Sequence, residues 1–408
     1  MSRLVKRVLT IALVLASVVA ALYMNTPRSP PLRPTIGDLY LVPNRAYLPI
    51  ALSLIENATK SIHCVYMYMR DDGDASRLVD ALIEARERGI SVSVVLEGDL
   101  SEESSSAYSR LKAAGVSVRY DGGGFVHAKF MIVDGRILLI GSHNISPYAL
   151  ALNNELSILV ENESVASVME GVFADLWEDG VLDADHTSYL GSVMVVQGVD
   201  LPKVLLNAIR DARSNISMMY YTFKYYGDFP PTDSMVEELI NASAAGLDVR
   251  VYLDGRRTNS RTAEVLRGGN VSVRESQQVI THTKLAIVDG RTVFVGDTNL
   301  AKSYFYDDTV SFTLVVNDTR LAQQAQAYFN QIWVNGKLLG FPAYAILGKK
   351  NLLLVNAGSV TIDVTVVISV DGNETVKEIT LPPGRPVVEV LPEEPRAVRL
   401  TLGKGEAG

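Results

Sequence analysis

The sequence predicts an α/β chain made of two copies of one unit, with an apolar helix before them and a small β-rich module after them. Three observations lead there. The stretch "FVHAKFMIVDGRILLIGSHN" (125–144) returns as "ITHTKLAIVDGRTVFVGDTN" (280–299), with the matching residues 155 positions later. Around each stretch the same order of strand-like and helix-like patterns recurs, as an internal repeat of about 150 residues requires. After Gly340 the pattern changes to short β-rich runs separated by Gly, Asn and Pro.

The N-terminus reads as a targeting segment. Arg3, Lys6 and Arg7 precede an uncharged apolar run from Val8 to Met24, followed by "NTPRSPPLRP". Residues 1–25 are therefore a signal anchor or signal peptide, and residues 26–38 a Pro-rich linker. The poor cleavage sites around Ala20 and Ala21 favour an anchor, which would tie the protein to a membrane. Either way the rest of the chain is expected outside the cytoplasm, membrane-anchored or secreted, because basic residues ahead of the run stay inside. Eight Asn-X-Ser/Thr sites, at Asn57, Asn144, Asn162, Asn215, Asn241, Asn270, Asn317 and Asn373, exceed the roughly three expected by chance and suggest surface glycosylation, Asn144 excepted if it belongs to a site.

Residues 39–188 form the first copy. Its elements are a strand at "SIHCVYMYM", a helix at "DASRLVDALIEARERG", a strand at "ISVSVVLEG", a helix near "ESSSAYSRLKAAG", a strand at "VSVRY", and then the quoted hairpin. Residues 189–342 repeat the order through "NISMMYYTF", "SMVEELINASAAG", "LDVRVYLDG", "RTAEVLRGG" and "VSVRE" before their own hairpin. Strands alternating with helices build a sheet with helices on its faces. Residues 343–408 are read as a small antiparallel, sandwich-like β domain carrying no chemical constellation.

Composition sets outer limits. A chain of 408 residues, 48% hydrophobic and 21% charged, buries enough surface for two or three domains and is not disordered. The net charge of -8 argues against a surface built throughout to hold nucleic acid or anionic lipid, though a local basic groove would escape that count. The single cysteine, Cys64, excludes a disulfide within the chain.

Within the first hairpin, strand alternation puts His127, Lys129, Met131 and Val133 on one face. Asp134-Gly135 and Asp289-Gly290 have the composition of two-residue hairpin turns. The full pattern, His-X-Lys-X4-Asp-X6-Gly-X-X-Asn, occurs twice with identical internal spacing. A single His-X-Lys-X4-Asp should arise by chance in roughly one such chain in a hundred, so a registered pair is specific.

On these residues the chain resembles the phospholipase D superfamily over about residues 40 to 340, in its form with two motifs in one chain. The resemblance implies two pseudo-symmetric α/β units packed so that both motifs face one phosphate, with no second chain needed for catalysis. It implies a phosphodiesterase using no metal and no cofactor, acting on a phospholipid, or alternatively a nuclease acting on DNA or RNA. A non-catalytic surface binding protein is the rival from another class. His127 is expected as nucleophile, forming a phosphohistidine, and His282 as general acid, with the reverse assignment open; a pKa near 6.5 suits imidazole to both tasks. Lys129 and Lys284 would neutralise the phosphate, Asn144, Asn299 and Ser142 would bind it, and Asp134 and Asp289 complete the catalytic motif. A carboxylate downstream of each Asn, Glu155 in the first half and Asp307 or Asp308 in the second, is expected to orient an imidazole. The second copy departs from the pattern in one place: it reads "GDTN" where the first reads "GSHN". Asp297 thus puts an anion near an anionic substrate, which costs binding unless it is paired or turned away.

Overall fold

The computed structural model describes residues 38–402 apart from 184, 256–258, 307, 339–342, 350, 371–372 and 392–396. The expected N-terminal apolar helix lies outside the described residues, among which no helix is long and apolar enough to cross a membrane.

The first copy contributes β1 (Leu39–Pro43), β2 (Ser61–Tyr66), β3 (Ser91–Leu96), β4 (Ser117–Tyr120), β5 (Phe125–Val126), β6 (Lys129–Val133), β7 (Ile137–Gly141) and β8 (Leu156–Glu161). The second contributes β9 (Ser188–Leu190), β10 (Val193–Gln197), β11 (Asn215–Tyr220), β12 (Asp248–Leu253), β13 (Ser272–Glu275), β14 (Lys284–Val288), β15 (Thr292–Gly296), β16 (Thr309–Val310) and β17 (Phe312–Asn317). One sheet runs β1-β8-β7-β6-β2-β3-β4 and the other β9-β10-β17-β15-β14-β11-β12-β13, so the order is the same with β9 added at one edge. In each sheet the three strands from the β-α-β crossovers are parallel, and the motif hairpin joins them antiparallel.

Both faces of each sheet are buried, which is why the strand runs are almost continuously apolar. Alternation sends Leu39, Leu41, Ile158 and Val160 into the core between the two sheets, where they meet Leu285, Ile287, Val293 and Leu314 of the second copy. Tyr40, Val42 and Leu159 point the other way, toward helices Tyr47–Glu56, Gly73–Glu87 and Ser101–Ala113. Helices Leu201–Asp211, Pro230–Ala244 and Ser260–Gly268 cover the outer face of the second sheet. Helices Glu163–Glu178 and Thr319–Asn335 pack into the central core. They start at equivalent caps: Asn162 Oδ1 accepts from the Val165 amide at 3.2 Å, and Asp318 Oδ1 from the Leu321 amide at 2.8 Å.

After the second copy come β18 (Ala343–Leu347), β19 (Asn351–Asn356), β20 (Ile362–Val370), β21 (Asn373–Leu381), β22 (Val387–Val390) and β23 (Ala397–Leu402). They form two antiparallel three-stranded sheets, β18-β19-β22 and β21-β20-β23. Leu352 and Leu354 share a core with Val364, Val366 and Ile368, while Leu353 and Val355 face the first copy. Asp38 fastens this join: its carboxylate accepts from the Lys349 amide at 2.9 Å and from the Tyr40 hydroxyl at 3.0 Å.

Candidate active site

Each motif histidine stands just ahead of an inner strand, and hydrogen bonds from the opposite half fix it there. β5 pairs in parallel with β16, and Asn154 forms the matching bridge with Thr281. The His127 amide donates to Val310 O and the His282 amide to Asn154 O, both at 2.9 Å. A buried carboxylate holds the residue before each histidine: Glu97 accepts from the Val126 amide, and Asp254 from the Thr281 amide at 2.8 Å. Neither carboxylate is part of the motif. Their place at the C-terminal ends of equivalent strands β3 and β12 is the signal that would have found them.

The structure therefore brings His127, Lys129, Asn144, His282, Lys284 and Asn299 together from two halves, all buried or nearly so. Lys129 Nζ donates to His127 O, and Lys284 Nζ to His282 O at 2.6 Å. Asn144 Oδ1 and Asn299 Oδ1 are buried without a hydrogen-bond partner. Tyr304 stands edge-on to the His127 ring at 4.8 Å, and Tyr221 edge-on to His282 at 4.8 Å. Burial drives both lysines down despite neighbouring carboxylates, Lys129 to about 8 and Lys284 to about 7. A substrate phosphate entering beside them would restore their charge.

The two imidazoles differ. His282 Nδ1 lies 2.9 Å from Glu155 Oε2 and 3.1 Å from Ser142 O. Burial alone would raise the Glu155 carboxyl, but the His282 charge brings it down to about 2. Ser142 Oγ donates to the same Glu155 oxygen at 2.5 Å, so the serine expected to bind phosphate is spent on holding this carboxylate. His127 has no such partner: its Nδ1 lies 3.6 Å from Asp297 Oδ1 and makes no hydrogen bond. Burial, followed by the charges on Lys129, Lys284 and His282, takes His127 well below the usual imidazole range.

One expectation needs correction. Asp134 and Asp289 do not reach the reacting centre; they sit in the hairpin turns, with φ of 56° and 54°, followed by Gly135 and Gly290 at 65° and 58°. The Asp134 carboxylate accepts from the Thr59, Lys60 and Ser61 amides and the Thr59 hydroxyl. That of Asp289 accepts from the Arg213, Ser214 and Asn215 amides. They tie each turn to the start of the neighbouring strand. Asp307 lies outside the described residues, and Asp308 gives its backbone oxygen to the Phe125 amide at 2.7 Å. The condition set for Asp297 is met at one oxygen: it is fully buried, and its Oδ1 accepts from the Phe312 amide at 3.1 Å.

The remaining histidines are accounted for. His143 stacks on Tyr47 at 4.3 Å, with Nδ1 2.7 Å from Ser157 Oγ and Nε2 3.0 Å from Asn44 O. His63 pairs with Glu170 and His186 with Asp175, away from the site. The motif glycines serve close packing: a Cβ on Gly141 would fall 2.4 Å from Ser157 Cα, and one on Gly296 2.2 Å from Phe312 O.

Two α/β units that join back to back and pool a histidine, a lysine and an asparagine each define a two-motif phosphoryl-transfer site. The family model described as "Cardiolipin synthase, PLD-like domain" matches residues 51–177 and again 205–333, and the chain belongs to the phospholipase D superfamily. It is 30% identical over 130 residues to the mitochondrial cardiolipin hydrolase of Xenopus tropicalis, covering 31% of this chain and 60% of that protein. It is 25% identical over 285 residues to the cardiolipin synthase of Oceanobacillus iheyensis, covering 60% of this chain and 58% of that protein. The chain thus spans well under two thirds of the length of these relatives. The phosphatidylserine synthase structure of Haemophilus influenzae shares the fold, with a TM-score of 0.57 at 13% identity over 73% of this chain and 88% of that one.

Proposed function

We propose that the chain hydrolyses a phosphodiester bond of a phospholipid through a covalent intermediate on His127. The observation that carries this reading is the pair of unlike imidazoles, one from each half, each with Nδ1 turned to a carboxylate. Nδ1 of His282 is hydrogen-bonded there and Nδ1 of His127 faces Asp297 without a bond, which leaves Nε2 of each for chemistry. His127, held neutral, forms a bond from Nε2 to phosphorus as the bond to the leaving oxygen breaks. His282, which burial lowers while Glu155 at its Nδ1 works against that fall, gives that oxygen its proton. Water then loses a proton to His282, its oxygen bonds to phosphorus, and the P–N bond breaks. Lys129 and Lys284 balance the non-bridging oxygens, and the side-chain amides of Asn144 and Asn299 donate to them as charge develops. Cardiolipin, in the names of both relatives quoted, supports a phospholipid substrate.

The test is the whole chain in detergent micelles, in excess EDTA, with labelled cardiolipin, phosphatidylcholine and single-stranded DNA in parallel, and His127→Ala as control. Release of a phosphatidyl product from lipid, reduced by about 10³-fold or more in the control, supports the reading. Cleavage of DNA with lipid spared, or transfer of the phosphatidyl group to glycerol with none to water, contradicts it.

A further inference from the structure

The backbone shows which residues of the two halves are equivalent. Gly141 pairs with Ser157, and Gly296 with Thr313, so beyond the motif asparagines the copies run 156 apart instead of 155. The Ser142 amide donates to Leu156 O and the Asp297 amide to Phe312 O, both at 3.0 Å. The Leu156 amide donates back to Ser142 Oγ at 3.0 Å, and the Phe312 amide back to Asp297 Oδ1 at 3.1 Å. The Asn44 amide donates to Glu155 O at 3.0 Å, and the Gly198 amide to Ser311 O at 2.8 Å. Position 142 therefore corresponds to 297, and position 155 to 311.

At these two positions the halves have exchanged residues. The first half carries serine then carboxylate, Ser142 and Glu155; the second carries carboxylate then serine, Asp297 and Ser311. All four are fully buried. Each carboxylate faces Nδ1 of the histidine from the other half, Glu155 at 2.9 Å and Asp297 at 3.6 Å. Asp297 Oδ2 and His127 Nδ1 are both buried without a hydrogen-bond partner, and leaving such groups unmet is costly.

We propose that Asp297 is the positioning carboxylate of His127, taking over from the first position the duty that Glu155 performs for His282 from the second. The inference rests on the function proposed above. Attack through Nε2 requires the imidazole tautomer with its proton on Nδ1, and a carboxylate facing Nδ1 selects that tautomer. When Nε2 bonds to phosphorus the ring becomes cationic, and the Nδ1–H donates to Asp297. The residue that breaks the family's Gly-Ser-X-Asn pattern then does what a carboxylate at position 311, held by serine, would do.

The experiment compares wild type with Asp297→Ser, which installs the first half's residue, and with the double variant Asp297→Ser/Ser311→Glu, which restores the first half's arrangement. Each is examined by ¹⁵N-histidine NMR for the His127 tautomer and by steady-state kinetics. The expected result is an Nδ1–H tautomer in wild type that is lost in Asp297→Ser. With it kcat falls about 10²- to 10⁴-fold while KM stays within about threefold, and the double variant recovers at least about tenfold. Wild-type kcat and an unchanged His127 tautomer in Asp297→Ser overturn the proposal. If the double variant does not fold, the tautomer in Asp297→Ser decides alone. An active His127→Ala enzyme would instead overturn the function, and the tautomer measurement would still judge Asp297.

Discussion

Asp297 carries a measurable cost in stability. Burial lifts its carboxyl from 3.8 to about 7, even though Lys129 and Lys284 favour the anion. A carboxyl raised in the folded state contributes stability that is fully present below its unfolded value and lost as pH rises through the folded value. Asp297→Asn removes that dependence and keeps an oxygen for the Phe312 amide. Relative to wild type, the variant should therefore gain melting temperature as pH rises from about 4 to about 8; thermal melts at both pH values check this, and a difference that does not change with pH contradicts it. Glu155 has the opposite sign: held at about 2 against a reference of 4.5, it adds stability above the reference that is lost toward pH 2. The two carboxylates thus belong to one site but answer pH in opposite directions, as the different spacing to their histidines implies. Of the site residues, histidine, lysine and asparagine were legible because spacing repeats them. The match of Ser311 to Glu155 was not legible, because a fixed offset of 155 hides the single extra residue between Asn299 and Phe312.

The motif hairpins show how a recurrent residue can belong to the element and not to the chemistry. β6 and β14 run from the site at one end to the turn at the other, and five residue steps of strand take the chain from Lys129 to Asp134, about 16 Å. Asp134 and Asp289 each satisfy three backbone amides of the adjoining strand start. Asp134→Ala should cost about 2–4 kcal/mol of unfolding free energy, read by denaturant titration, with kcat of the folded fraction within about tenfold of wild type. A loss as deep as that of His127→Ala with stability intact would put Asp134 back in the catalytic set. The parallel strands and the helices between them were readable from periodicity, as Gly73–Glu87 and Ser101–Ala113 bear out. Helices such as Tyr47–Glu56 were not, because "YLPIALSLIE" is buried on nearly every side and shows no polar face to set a period. Strands β1 and β10 escaped for a related reason: each pairs with a strand more than a hundred residues away, and local pattern holds no trace of that partner.

At the scale of the whole molecule, the central core is the device that makes one site from two motifs. Ile158 and Val160 of one sheet and Val293 and Leu314 of the other share that core. Beside it, the exchanges between β5 and β16 and between Asn154 and Thr281 deliver each histidine to the other half's carboxylate. The repeat predicted that two copies would cooperate. Only the structure reveals that they are unequal, with Glu155 hydrogen-bonded to His282 and Asp297 standing off from His127. On the mechanism we propose, that inequality goes with a nucleophile in the first motif and a general acid in the second. The most direct test uses a phosphatidyl p-nitrophenyl ester, whose leaving group needs no proton, with rapid quench at alkaline pH and peptide mass spectrometry on His282→Asn. The account predicts a burst of p-nitrophenolate and a phosphatidyl adduct accumulating on His127, since the group that activates water is gone; an adduct on another residue of that variant, or turnover by His127→Ala, would contradict it.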